Sequence, residues 1–389
     1  MKRLNRLADR AVALKPSLTR EIFELAKKFD DVVDLTLGDP DLLPPKEIRD
    51  AACWAIRKGL TRYSQNAGLP EVRSAVAGFN SRVYGRRISP DDVIITCGGM
   101  EAVYLALASL VQVGDEVIIP GPYWINYRQM TELCGAKAVI VPTSASDAFS
   151  ISLDSLEKAL SPRSKVLIIN SPNNPTGKML QGKTLDKIAK FAVTHDLFVI
   201  SDEVYRSLVY DGKRHESIWT RPNMRDRCVI IDSMSKRFSM TGYRLGMAIA
   251  PRSLVTAMTR FQENVAACAP LPSQYAALVA YSQDIDCSYL LDEFASRRKA
   301  VYDGVRMIPE LSVSAIDGTF YAFVNISKTG LNSYDFSLRL LNDVHVAVVP
   351  GRTYGGEYDD FVRIAFTLKV SRINEAFRRI RKFIKELCG

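Results

Sequence analysis

An amine lies where the sequence predicts that a buried strand ends. Lys236 belongs to the segment DSMSKRFSMTGYRLG, residues 232–246, which directly follows the apolar run Cys228-Val-Ile-Ile231. A lysine in an exposed loop is the simplest interpretation. Ser233-Met-Ser-Lys236 also has the S-x-x-K spacing of serine nucleophiles, and Lys328-Thr-Gly330 would supply a K-T-G element. A third hypothesis makes Lys236 an amine that bonds the carbonyl group of a cofactor.

Three other apolar runs are also followed by polar residues of distinct chemistry. The run 92–96 leads into Cys97-Gly98-Gly99-Met100, the run 165–169 into Asn170-Ser-Pro-Asn-Asn-Pro-Thr-Gly177, and the run 197–200 into Ser201-Asp-Glu-Val-Tyr205. Ligands of open parallel sheets bind outside the carboxyl ends of the strands. We therefore expect these residues to share a site with Lys236. The S-x-x-K alternative gives the glycines, amides and carboxylate of this site no role.

Several of these residues could hold a phosphate group. Gly98 and Gly99 open a predicted helix, so free backbone N–H groups and the positive end of the helix would face an anion that comes close. Arg244 could add a bidentate contact, and Ser233 and Ser235 could donate hydrogen bonds from their hydroxyls. A double glycine alone is weak evidence, but the combination predicts a phosphate site.

The remaining polar residues suit a protonated aromatic ring. Asp202 at the end of a strand would be costly to bury unless a cation meets it, and a protonated ring nitrogen is such a cation. Asn174 and Tyr205 could hydrogen-bond a phenolic oxygen on that ring. Partial burial of Lys236 near Arg244 would lower its pKa and give a nucleophilic amine. Phosphate, ring nitrogen, phenolic oxygen and aldehyde together describe pyridoxal 5′-phosphate.

Composition excludes several other classes of protein. The chain has 389 residues, 47% of them apolar and 24% charged, as in an ordinary globular protein. Seven scattered cysteines without a C-x-x-C favour a reducing compartment, and three separated histidines make a metal site improbable. We expect no secretory signal, membrane span or nucleic-acid patch, and a cytoplasmic protein. The net charge of +9 is most concentrated in residues 372–385, which read as an amphipathic helix packed on a domain.

The order of the apolar runs predicts the fold class. Continuous β-branched runs between residues 90 and 250, separated by helical patterns, indicate an α/β unit whose mostly parallel sheet is covered by helices on both faces. Residues 254–306 are helical in pattern, and 311–368 alternate short strands with a helix at 335–342. We predict a large domain at 45–280 and a smaller α+β domain formed by 1–44 and 281–389.

Six segments in order resemble the signatures of class I/II aminotransferases, the fold type I enzymes that use pyridoxal phosphate. They are RYSQNAGLPEVRSAV (62–76), GPYW (121–124), SPNNPTG (171–177), SDEVY (201–205), SMSKRFSMTGYRLG (233–246) and VRIAF (362–366). LKPSLTREIFELAKK (14–28) and LTLGDPD (35–41) are similar to the subgroup of bacterial aspartate and aromatic aminotransferases. The resemblance covers essentially the whole chain and implies a seven-stranded sheet in the large domain.

The resemblance also implies a role for each matching residue. Lys236 forms the Schiff base and moves the proton, Asp202 keeps the ring nitrogen protonated, and Tyr205 and Asn174 bind the ring oxygen. The phosphate is held by Gly99, Met100, Ser233, Ser235, Arg244 and, from a neighbouring subunit, Tyr63. Trp124 stacks on the ring, and Arg363 binds the substrate α-carboxylate with help from Asn174 and Gly38. The shared site implies a homodimer. The resemblance implies no metal site.

The implied reaction moves an amino group between an L-amino acid and a 2-oxo acid, with 2-oxoglutarate as the expected partner, in ping-pong order. A carbon–sulfur β-lyase on the same fold is the alternative, and the double asparagine of 171–177 favours transamination. Met100 departs from the pattern of the related aspartate enzymes, which have lysine there. That departure puts a strict preference for aspartate in doubt and favours aromatic or other neutral side chains. Ser17 and Thr19 still match positions near the side-chain pocket, which leaves acidic donors open.

Overall fold

The computed structural model describes residues 7–14, 17–283 and 285–388. The helices are α1 (Asp9–Ala13), α2 (Leu18–Ala26), α3 (Lys46–Arg57), α4 (Pro70–Tyr84), α5 (Gly99–Leu110), α6 (Asn126–Leu133), α7 (Leu153–Ala159), α8 (Gly182–Thr194), α9 (Met234–Arg237), α10 (Arg252–Val265), α11 (Leu271–Ser282), α12 (Ser288–Arg306), α13 (Ser333–Val344) and α14 (Val370–Cys388). The strands are β1 (Val33–Asp34), β2 (Val93–Thr96), β3 (Glu116–Pro120), β4 (Lys137–Val141), β5 (Ser164–Asn170), β6 (Phe198–Asp202), β7 (Cys228–Ser233), β8 (Gly246–Ile249), β9 (Ser312–Val313), β10 (Tyr321–Asn325), β11 (Val346–Ala347), β12 (Val349–Pro350) and β13 (Phe361–Ala365).

The large sheet has seven strands in the order β2-β8-β7-β6-β5-β3-β4. Neighbours from β7 to β4 pair in parallel, and β8 pairs antiparallel with both β2 and β7. The prediction of a seven-stranded, mostly parallel sheet is confirmed. Because β8 runs backwards, its first residue lies at the same edge as the last residues of β2 and β7.

The continuous apolar runs follow from a sheet that is buried on both faces. Ile230 packs in one core with helices α4 and α11, whereas the next residue, Ile231, packs in a second core with α5 and α10. Neither residue has any exposed surface. Because successive strand residues face opposite sides of the sheet, both must be apolar when helices cover both faces.

A second sheet lies in the carboxyl-terminal part of the chain. Its four antiparallel strands have the order β12-β13-β10-β9, and α12 and α14 pack in its core. The amphipathic pattern of the last helix is confirmed, since Ile373, Phe377, Ile380 and Ile384 are buried there. Strand β1 pairs in parallel with β11 and so joins the amino-terminal segment to this part.

The predicted domain limits remain a prediction. The limit at residue 280 falls inside α11, whose buried residues Ala276, Ala277 and Ala280 belong to a core of the large sheet. Residues 1–6, 15–16, 284 and 389, which the prediction assigns to the smaller domain, are outside the described residues. Within the described part of the chain, no helix is long and apolar enough to cross a membrane.

Candidate active site

One cavity of about 420 Å³ lies at the carboxyl edge of the large sheet, next to the second sheet. Every predicted site residue except Tyr63 lines it: Gly38, Gly99, Met100, Trp124, Asn174, Asp202, Tyr205, Ser233, Ser235, Lys236, Arg244 and Arg363. The ends of β5, β6 and β7, the start of α5 and strand β13 therefore meet at one place. Tyr63 is 86% exposed and does not line the cavity of its own chain.

Lys236 lies in the short helix α9, directly after β7. Its Nζ donates a hydrogen bond of 2.7 Å to the carbonyl oxygen of Gly38 and lies 5.5 Å from the centre of the Phe320 ring. Burial lowers the pKa of the amine, and the positive charges of Arg363 and Arg244 act in the same direction. A partly buried amine with a lowered pKa is a better nucleophile and proton acceptor at neutral pH than an exposed lysine.

Asp202 is the last residue of β6 and is buried. Tyr127 donates a hydrogen bond of 2.5 Å to its Oδ2, and the backbone N–H of Val204 donates one of 3.3 Å to Oδ1. Burial nevertheless raises the pKa of the carboxyl group to about 6. The structure places no cationic side chain within bonding distance of Asp202 among the described residues, so this carboxylate faces the cavity without a counter-ion.

The turn before α5 and the start of β8 form a narrow anion cradle. Gly98 has φ of +90°, which favours glycine, and a Cβ there would lie 2.6 Å from Nη2 of Arg244. A Cβ on Gly246 would lie 2.3 Å from the backbone nitrogen of Gly99. Both glycines are therefore needed for the backbone to approach closely at this edge.

The hydroxyl groups beside the cradle are already oriented. Ser233 Oγ donates to the carbonyl oxygen of Leu245 at 3.1 Å and lies 2.9 Å from Ser235 Oγ. Lys236 bonds Gly38 instead of Ser233, and Lys328 is exposed and does not line the cavity. The S-x-x-K alternative therefore lacks the contact between serine and lysine that activation of Ser233 would need.

Arg363 comes from β13 of the second sheet and is buried. Its Nη1 donates to Asn174 Oδ1 at 3.2 Å, and its Nη2 donates to the carbonyl oxygen of Thr36. Its Nε is buried and has no hydrogen-bond partner among the residues that the structure describes. A buried cation with an unused N–H group, beside an amide, is suited to a carboxylate ligand.

Two tyrosines of the site were missed by the sequence analysis. Tyr127 orients Asp202, and Tyr321 lies between Tyr205, Arg363 and Gly38. Both residues line the cavity. In the sequence they belong to an amphipathic helical pattern and to an apolar strand, where an aromatic residue ordinarily indicates a core position. The sequence therefore contained no local signal that set them apart.

The residues present fit pyridoxal phosphate. A narrow backbone cradle beside Arg244 suits its phosphate, a buried carboxylate without a counter-ion suits its ring nitrogen, and a partly buried amine suits its aldehyde. These groups come from separate strand ends and face the same cavity. An arginine suited to a carboxylate is added from the second sheet.

Comparison with known proteins decides the family. The family model for aminotransferase class I and II matches residues 30–380. The chain belongs to this family. It is a pyridoxal-phosphate-dependent aminotransferase, which moves an amino group between an L-amino acid and a 2-oxo acid in ping-pong order. The predictions of the family, the fold, the cofactor and the reaction are thereby confirmed.

Individual relatives of this aminotransferase differ in the substrate that their names give. It is 38% identical to aromatic-amino-acid aminotransferase 2 of Thermococcus litoralis, over 98% of both chains. It is 36% identical to an aspartate aminotransferase of Pyrococcus abyssi, also over 98% of both. The structure of the Thermus thermophilus aspartate aminotransferase with maleate superposes with a TM-score of 0.92 and 30% identity, over 97% of this chain and 99% of the other.

Proposed function

We propose that Lys236, Asp202, Tyr205, Asn174, Arg244 and Arg363 perform the transamination in this chain, each through a different part of the cofactor or substrate. The observation that carries the proposal is their convergence on one cavity, which the partly buried amine of Lys236 also lines. Pyridoxal phosphate, when bound, supplies an electron-accepting ring that stabilises negative charge at the substrate Cα. The remaining steps are the work of the side chains.

Lys236 binds the aldehyde and, once the substrate has replaced it, carries the proton at Cα. Its lowered pKa makes the neutral form of the amine, which both tasks require, easier to reach than in an exposed lysine. The ionised Asp202 pairs with the protonated ring nitrogen and removes the cost of its own burial. Tyr205 and Asn174 bind the ring oxygen.

The remaining predicted residues orient the two ligands. Arg244, the backbone of Gly99 and Met100, and the hydroxyls of Ser233 and Ser235 hold the phosphate at the glycine cradle. Arg363, with Asn174 and the backbone at Gly38, holds the α-carboxylate. Trp124, which also lines the cavity, is the residue that would stack on the ring of the cofactor.

A spectrum and a single-turnover experiment test these assignments. The purified protein with cofactor is expected to show a visible absorbance band that responds to an added amino acid. Lys236→Ala is expected to change the band and to abolish turnover, whereas Lys178→Ala, outside this cavity, leaves both intact. An unchanged band in Lys236→Ala would refute the proposed role of this lysine. Release of pyruvate and ammonia from cystathionine without an oxo acid would favour the β-lyase alternative.

The donor is proposed to include aromatic and other neutral amino acids. Met100, at the start of α5, lines the cavity and is 42% exposed, so an apolar surface meets the substrate where a lysine would have placed a charge. Thr19 also lines the cavity, whereas Ser17 caps α2 through the backbone N–H of Arg20. In a stopped-flow panel of single amino acids, fast reaction with aspartate alone would contradict broad specificity.

The working unit is proposed to be a cytoplasmic homodimer with shared sites. Tyr63 is among the most exposed aromatic residues and lies outside its own cavity, as expected for a residue that serves the partner's phosphate site. Mixing inactive Lys236→Ala subunits with Tyr63→Ala subunits should restore activity, because each hybrid dimer has one complete site. Activity no higher than the sum of the two parents, with hybrids present, would contradict shared sites.

A further inference from the structure

Tyr321 lines the cavity, although no role has been assigned to it above. It is 3% exposed and begins β10, where it pairs with Ala365 of β13. Phe323, two residues further on, pairs with Arg363. Tyr321 and Arg363 are therefore diagonal neighbours on one face of the sheet. The guanidinium carbon of Arg363 lies 4.4 Å from the centre of the Tyr321 ring.

The phenol of Tyr321 touches two further parts of the site. Its Oη accepts a hydrogen bond of 3.4 Å from the Oη of Tyr205. A Cβ on Gly38 would lie 1.7 Å from this same oxygen, so the phenol occupies the space that any side chain at position 38 would fill. The carbonyl of Gly38 in turn accepts the hydrogen bond from Lys236 Nζ. One side chain thus contacts Tyr205, Arg363 and the segment that holds the amine.

We propose that Tyr321 is a positioning residue with two separable parts: its hydroxyl group fixes the donor direction of Tyr205, and its ring fixes Arg363. This inference rests on the function proposed above for Tyr205 and Arg363. Both partners are buried, with 5% of each residue exposed, so each contact lies largely out of bulk solvent.

The hydroxyl part follows from hydrogen-bond direction. Tyr205 has one O–H, and while it donates to Tyr321 it cannot donate to a ligand. Both phenol hydroxyls can rotate about their C–O bonds. When a ligand accepts the proton of Tyr205, Tyr321 becomes the donor in the bond between the two hydroxyls. A hydroxyl that accepts one hydrogen bond is a stronger donor in the next, so Tyr321 strengthens the contact of Tyr205 with an anionic ring oxygen.

The ring part follows from the cation–π contact. A desolvated guanidinium over an aromatic face is held more firmly than one over an aliphatic side chain. The ring of Tyr354 lies on the same guanidinium at the longer distance of 5.5 Å. Tyr354 is also buried, yet the structure gives it no contact with Tyr205. It is therefore a matched control for the hydroxyl part.

The test compares Tyr321→Phe, Tyr321→Leu and Tyr354→Phe as holoenzymes. The first readout is the pH midpoint of the cofactor's absorbance change, which reports the stabilisation of the ionised ring oxygen. Tyr321→Phe and Tyr321→Leu are expected to raise the midpoint by about half a pH unit, the equivalent of one weak hydrogen bond. Tyr354→Phe is expected to leave this pH midpoint unchanged.

The second readout is the Kd of 3-phenylpropionate, a carboxylate that cannot react. It is expected to rise roughly tenfold in Tyr321→Leu and less than twofold in Tyr321→Phe.

Several results would overturn the inference. An unchanged pH midpoint in Tyr321→Phe, or the same shift in Tyr354→Phe, would refute the proposed role of the Tyr321 hydroxyl group. An equal Kd in all three variants would refute the proposed role of the Tyr321 ring in holding Arg363. Urea unfolding of the apoenzymes identifies any variant that does not fold. When Tyr321→Leu does not fold, the pH midpoint of Tyr321→Phe still tests the role of the hydroxyl group. A visible band that does not depend on Lys236 would refute the proposed function instead, so the two failures are distinguishable.

Discussion

Replacement of Asp202 by asparagine should stabilise the protein in the absence of cofactor. The carboxyl group is 5% exposed, and burial raises its pKa to about 6 from an ordinary value near 3.8. A raised pKa means that the folded state resists ionisation of this group. The difference of about two in pKa corresponds to roughly 3 kcal/mol of unfolding free energy at neutral pH.

The sign and the pH window follow from proton linkage. Between pH 4 and pH 6 the folded apoenzyme binds more protons at Asp202 than the unfolded chain does, so stability falls as the pH rises through this window. Asparagine does not titrate. We therefore expect Asp202→Asn to match the wild-type apoenzyme near pH 4 and to exceed it by about 2–3 kcal/mol at pH 8. Tyr127 and the N–H of Val204 can still bond the amide, because the hydroxyl of Tyr127 can act as donor or acceptor.

Urea unfolding of both apoenzymes at several pH values between 4 and 8 measures this difference. Asp39→Asn is the control, because Asp39 lines the same cavity but is exposed, and its replacement should change stability by less than about 1 kcal/mol at any pH. With cofactor added, the wild type should be more stable than Asp202→Asn, because the protonated ring nitrogen pairs with the carboxylate and not with the amide. A variant that is less stable than the wild-type apoenzyme at pH 8, or a difference that does not change with pH, would refute the reasoning.

Three further changes have defined outcomes. Tyr127→Phe removes a hydrogen bond that lowers the pKa of Asp202, so in the same urea assay the fall in apoenzyme stability should extend to higher pH and become larger. Gly98→Ala places a Cβ 2.6 Å from Arg244 at a φ of +90°, and the Kd of pyridoxal phosphate should rise at least about tenfold in an absorbance titration. Arg363→Lys loses one of two charge-assisted hydrogen bonds, and kcat/KM should fall about 10- to 100-fold with the visible band unchanged.

The sheet and its carboxyl edge could be predicted because burial on both faces leaves a strong pattern. The run 165–169 became β5 (164–170), and 228–231 became β7 (228–233), each longer only at its ends. Those ends include Asn170 and Ser233, polar residues that continue the strand geometry into the site. Helix α6 begins only at Asn126, which leaves Trp124 in the preceding loop.

The contacts between distant segments could not be predicted in the same way. The bond from Lys236 to Gly38 joins residues 198 positions apart, and the one from Arg363 to Thr36 joins residues 327 positions apart. No periodicity in one sequence encodes such pairs. The role of Arg363 came from resemblance, and Tyr321 had neither a motif nor a pattern that distinguished it from a core aromatic residue.

Asp202 and Glu203 show how neighbouring carboxylates acquire opposite properties. Both are buried, and burial alone would raise the pKa of each. Glu203 accepts hydrogen bonds from His215 at 2.8 Å and Ser217 at 2.5 Å, and these contacts lower its pKa overall. Among the residues that the structure describes, the carboxylate of Asp202 accepts hydrogen bonds only from the neutral donors Tyr127 and Val204. Because Glu203 already has a histidine partner on its side of the sheet, the carboxylate that faces the cavity is the one left to bind a cationic ligand.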